Sequence, residues 1–173
     1  MRRAFFAAVV YGLGEEPGWR GFALPRLQKR WNALAAATIL AAFWALWHSA
    51  FFTYRYHLGF MDAVFFFLGV VAGSIWLTSL YNGARGSLLM VILWHVAWNA
   101  VNALAAVVSG TLMAMMTMEV IVAAVVIVAV WKPTTLAPAP KHRLETPSET
   151  PGARETVRGI KTPSQSERRP VEV

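Results

Sequence analysis

No cysteine occurs among the 173 residues, which excludes disulfides, thiolate metal sites and a cysteine nucleophile. Charge is almost as scarce through the middle of the chain, where residues 33–131 hold only Arg55, Asp62, Arg85 and Glu119. Overall the sequence is 57% hydrophobic and 14% charged, against about 45–50% and about 25% in a soluble domain. A water-facing domain is therefore excluded for that stretch. The apolar segments do not alternate over about ten residues at a time, so a membrane β-barrel is excluded as well. A cleavable signal peptide is not expected: Met1-Arg2-Arg3 and the apolar run after it imitate one, but Glu15 and Glu16 stand where small residues are needed. No internal repeat is evident.

What is present is a series of long apolar runs. Four are near the roughly 20 residues that cross a bilayer: residues 33–52, 60–81, 87–108 and 112–131. Residues 3–28 read as a further membrane helix, broken or kinked near Pro17, which lacks an N–H and crowds the carbonyl four residues earlier. Such a break survives at membrane depth only where protein or a wet cavity satisfies the freed backbone groups. The expected fold is an all-α, polytopic transmembrane helix bundle of four to five spans, with residues 1–131 as one domain. Residues 132–173 carry seven of the nine prolines and no apolar periodicity, and are expected to form a disordered basic tail.

The formal charge of +7 invites a nucleic-acid reading, but half of the Lys and Arg lie at 132–173. A basic tail beyond a membrane span fits the positive-inside bias better, and no nucleic-acid partner is expected. Arg26, Lys29, Arg30, Arg85, Lys132 and the tail fall on one side and Arg2, Arg3 and Arg55 on the other, which puts the tail in the cytoplasm.

Within the spans, polar side chains are costly and mark function or packing. Glu16 and Arg20 are four apart and share a helix face, whereas Glu15 points about 100° away. They form either a buried ion network that fixes packing, or a pair that leaves Glu15 to take a proton. His48 sits in the run FWALWHSAFF near the end of its span; Trp44 lies on its face, as an interfacial anchor or a pocket wall. His95 and Asn99 share a face of the next-to-last span, continued by Asn102. These are either helix–helix glue or donors to a developing oxyanion. Glu15, His48 and His95 supply three ligands for Zn2+ or another divalent metal; without metal the same groups suit base, proton shuttle and oxyanion donor. His57 in a short loop and Asp62 at a span end are weaker candidates, and Glu119 reads as a buried packing or protomer contact.

The segments GEEPGWRGFALPRLQ, AFWALWHSAFF and LWHVAWN resemble the motifs EExxxR, FxxxH and HxxxN of the CPBP intramembrane protease family, which groups CAAX prenyl endopeptidases with bacteriocin-processing and immunity (ABI-type) proteins. Glu15, Glu16 and Arg20 match the first motif, His48 the second and His95 with Asn99 the third. Trp44 stands where the second motif has phenylalanine. The resemblance covers roughly residues 4–110. It implies an intramembrane (metallo)endopeptidase of a bacterial plasma membrane, with lipid around it and a membrane-associated protein or peptide as substrate. It further implies that Glu15 acts as general base or metal-linked carboxylate, that His48 helps to activate water, that His95 and Asn99 polarise the scissile carbonyl or hold metal, and that Glu16 and Arg20 shape the site. Family members carry further helices before the first motif, so an N-terminally shortened member is expected. The competing readings are a non-catalytic membrane immunity or scaffold protein that keeps the polar core, and an ion or proton relay.

Overall fold

A computed structural model describes residues 2–52 and 59–138, and among these every regular element is helical. α1 (Arg2–Glu16) runs into a π-helical segment (Pro17–Ala23) and then α2 (Leu24–Leu27). α3 (Ala33–Phe52), α4 (Phe60–Gly83), α5 (Leu88–Val108) and α6 (Gly110–Thr135) follow. By length and composition α4, α5 and α6 each suffice to cross a membrane, and α3 adds a shorter apolar helix. The chain is an integral membrane protein, and the four expected spans match these helices to within a few residues. Arg55, His57 and the Pro-rich stretch from 139 onward lie outside the described residues.

The broken first helix is explained by Pro17. Its missing N–H leaves the Leu13 carbonyl without its α-helical donor. The chain widens into π winding instead of stopping, and the Leu24 N–H reaches back five residues to the Trp19 carbonyl. Single π turns inside α-helices frequently sit at functional sites. Here the widened turn carries Arg20, fully buried.

Small residues let the helices approach closely, as membrane packing requires. Ala33, Ala37, Ala72 and Ala124 join Ile75, Val120 and Ile127 in a core between α3, α4 and α6. The buried Ser74 hydroxyl ties α4 to α3 by donating to the Ala37 carbonyl at 2.8 Å. α6 kinks at Lys132 (φ 63°) before Pro133, and Leu136 then inserts fully buried into this same core. The chain is therefore still packed for several residues beyond 131, where composition places the start of the tail. Glu119, expected to be buried, is exposed on the outer face of α6; its neighbours are apolar, but the face it occupies is turned away from α4.

α1 packs on α5 along Ala8, Gly12 and Glu16, one turn apart. At Gly12 an added Cβ would lie 2.5 Å from Val96 Cγ2 and 3.2 Å from the Val96 backbone nitrogen. Gly12→Ala is expected to destabilise the bundle by about 1–3 kcal/mol through overpacking. Gly14→Ala, where the added carbon meets nothing within 4 Å, serves as the control. Thermal unfolding in detergent should drop for the first only; equal midpoints would show that α1 and α5 are not in this close register.

Candidate active site

The close contact of α1 with α5 delivers Glu16 to His95. Arg20 Nη1 donates to Glu16 Oε1 at 2.9 Å, with both side chains fully buried, as their spacing predicted. The same oxygen lies 2.6 Å from His95 Nδ1. A carboxylate paired with Arg only accepts, so His95 Nδ1 carries the hydrogen and donates it. His95 is thus held in one tautomer and orientation, its Nε2 left for other work. Among the described residues Glu16 Oε2 and Arg20 Nε and Nη2 are buried without a hydrogen-bond partner.

Glu15 turns away from this pair, as helix geometry requires. Its Oε2 accepts from the Trp44 indole N–H at 2.8 Å. Trp44, nearly buried on α3, also meets His48 edge-on (5.4 Å between ring centroids) and His95 (5.7 Å). The Arg20 guanidinium lies 4.6 Å from its ring centroid, close enough for a cation–π contact. His48 Nδ1 is 2.7 Å from the Trp44 carbonyl; a carbonyl only accepts, so Nδ1 donates here as well, and Nε2 is the second nitrogen of both imidazoles. The indole is therefore the hub that the sequence left open between interfacial anchor and pocket wall. The signal for it was the aromatic four residues before His48.

Glu15, His48, His95 and Asn99 line one cavity of about 540 Å3, within the usual range for small-molecule sites. Glu16 and Arg20 stand behind its wall. Asn99 has no hydrogen-bond partner among the described residues, so its amide N–H is available to a developing negative charge. The rest of the lining is mostly apolar and includes Tyr11, Phe66, Trp94, Trp98 and Met113, none singled out by sequence reasoning. Trp94 and Trp98 stack nearly parallel at 5.4 Å, and Trp76 adjoins Trp94 at 5.5 Å. Asn102 lines the cavity too, but its amide donates to the Trp98 carbonyl at 2.9 Å.

The expected metal set of Glu15, His48 and His95 is not gathered. Among the described residues no three His, Asp or Glu side chains converge on a point that could hold a metal ion. Trp44 touches all three: its N–H donates to one Glu15 oxygen, its ring meets both imidazoles edge-on, and its carbonyl takes His48 Nδ1.

Residues 2–101 match the family model described as Type II CAAX prenyl endopeptidase Rce1-like. The chain is 30% identical over 114 residues to CAAX prenyl protease 2 of Methanococcus maripaludis, covering 61% of this chain and 42% of the relative. The chain thus spans less than half the length of that curated relative. No solved structure matches.

Proposed function

Because the chain belongs to the Rce1-like type II CAAX prenyl endopeptidase family, we propose that it is an intramembrane endopeptidase in which Glu15 activates water against a peptide carbonyl. The observation that carries this reading is the single cavity onto which Glu15, His48, His95 and Asn99 open from three helices. One lone pair of Glu15 is engaged by the indole; a carboxylate has about four such sites, so others remain for water. Glu15 takes the proton as the water oxygen attacks the carbonyl carbon. The Asn99 amide donates to the oxyanion that develops, and His95, oriented by Glu16, donates through Nε2 when protonated. His48 Nε2 then relays the proton held by Glu15 to the leaving amine as the C–N bond breaks, which returns Glu15 to its carboxylate. Collapse gives a new carboxylate and a free amine.

The substrate is a membrane-associated protein or peptide, held against the apolar wall of Trp94 and Trp98. The relative's name makes a prenylated CAAX peptide the first one to try. Full-length chain in proteoliposomes, given such a peptide, should release a fragment with a new carboxyl terminus, detectable by mass spectrometry. An intact peptide after prolonged incubation, with membrane-anchored peptides of other sequence also uncleaved, contradicts the proposal.

Trp44→Phe supplies the phenylalanine of the family motif; it keeps an aromatic ring but removes the indole N–H together with part of the ring that meets His48 and His95. The lost hydrogen bond to a charged group is worth about 1.5 kcal/mol or more, so kcat should fall about tenfold with KM little changed. A change confined to KM would mean that Trp44 lines the substrate path and does not position Glu15.

A further inference from the structure

At one end of the bundle the fold gathers cations with no acid to balance them among the described residues. Gln28 donates to Asn82 Oδ1 at 3.2 Å, and Asn82 donates to the Thr135 carbonyl at 2.8 Å. These bonds bring the turn after α2, the turn after α4 and the end of α6 together. Arg26, Lys29, Arg30, Arg85 and Lys132 sit on these segments. No Asp or Glu occurs from Pro17 to Met61; Asp62 begins α4 at its other end, and Glu119 lies in the first half of α6. None of Arg26, Lys29 and Arg30 is paired with a carboxylate among the described residues.

Three of these cations line a cavity of about 570 Å3 together with Trp19, Leu27, Trp31, Leu40 and Phe43. Arg26 is held in place: its Nη1 donates to the Phe22 carbonyl at 2.9 Å and its guanidinium lies 3.6 Å from the Phe22 ring centroid. The floor is the buried Leu40, and the outer wall is Phe43, 60% exposed on an apolar helix. The concavity thus has a cationic rim at the helix ends and an apolar wall running down into the membrane. That is the shape and charge of a phospholipid: phosphate on the rim, glycerol and first methylenes on the wall. Trp31 at the rim suits the headgroup level, where tryptophan is enriched. A free phosphate would use the cations and leave the apolar wall uncovered.

From this we infer that the cavity bounded by Arg26, Lys29, Arg30 and Phe43 is a binding site for one anionic phospholipid, separate from the cavity of Glu15 and His48. The lipid seats against Trp19, within the π-helical segment that carries Arg20, and so braces that segment from the outside. Basic pockets at membrane protein ends recognise acidic headgroups by this chemistry.

The test is native mass spectrometry of the full chain with phosphatidylglycerol or phosphatidylcholine of the same acyl chains. One phosphatidylglycerol per chain should bind, on the order of 10-fold or more tighter than phosphatidylcholine. Lys29→Gln with Arg30→Gln removes two rim charges and should weaken binding by roughly 30-fold, at about one unit of surface electrostatic attraction per cation. Arg85→Gln with Lys132→Gln removes two charges from the same end but outside the cavity, and should change binding by less than about threefold. Lys29→Arg with Arg30→Lys, which keeps both charges, should bind as the parent does. Equal losses in the two Gln pairs would reduce the site to a diffuse surface potential, and displacement of the lipid by millimolar inorganic phosphate would make it a simple anion site. Either result overturns the inference, as would equal binding of the two lipids by the parent protein.

Discussion

Glu15→Gln is expected to lower peptide-bond cleavage by about 10²–10⁴-fold, the contribution of a positioned general base. The amide keeps the volume of the carboxylate, and its carbonyl oxygen still accepts from the Trp44 indole, so the bundle should insert and unfold as the parent does. What is lost is only the capacity to take a proton from water. His48→Ala should also reduce turnover strongly, but through the leaving group. Its effect should therefore be smaller on substrates whose departing amine is less basic. A Glu15→Gln protein that cleaves at the parental rate would remove the base from the mechanism and leave the polar core as helix packing.

The largest effect on stability is expected at Glu16. Glu16→Leu leaves Arg20 fully buried without the carboxylate it is hydrogen-bonded to, and breaking a buried pair in this way costs about 3–5 kcal/mol. Replacing both partners, Glu16→Leu with Arg20→Leu, removes the uncompensated charge and should recover most of that stability, since apolar replacement of a buried pair is often neutral or better. Cleavage should not recover. The double variant still lacks the carboxylate that holds His95 Nδ1 at 2.6 Å, so the imidazole loses its fixed tautomer. Unfolding midpoint and turnover, measured together in detergent and in proteoliposomes, separate the two roles. Recovery of both would show that Glu16 and Arg20 serve packing alone.

Much of this arrangement was legible in the sequence because membrane solvation is a strong constraint. Four apolar runs placed four helices to within a few residues, and Pro17 among polar residues marked the irregular turn. Four-residue spacing paired Glu16 with Arg20 and set Glu15 apart. Helical periodicity could not say toward which neighbour a face turns. It left Trp44 between lipid anchor and cavity wall, a choice made only by the contacts its side chain makes with Glu15 on α1 and His95 on α5. For the same reason Glu119 read as buried, because all its neighbours in sequence are apolar while its face of α6 points outward. Spacing likewise listed Glu15, His48 and His95 as potential ligands, but could not foresee an indole packed among them. Leu136 was hidden by the prolines around it, since composition averages over a window and a single inserted leucine does not.

The most direct test is cleavage of a membrane-anchored peptide by the full chain in water enriched in heavy oxygen, run side by side with Glu15→Gln in identical proteoliposomes. The mechanism predicts that the parent protein yields a fragment whose new carboxylate carries one heavy oxygen, and that the variant yields almost none over the same time. Labelled product formed equally fast by both proteins would contradict it.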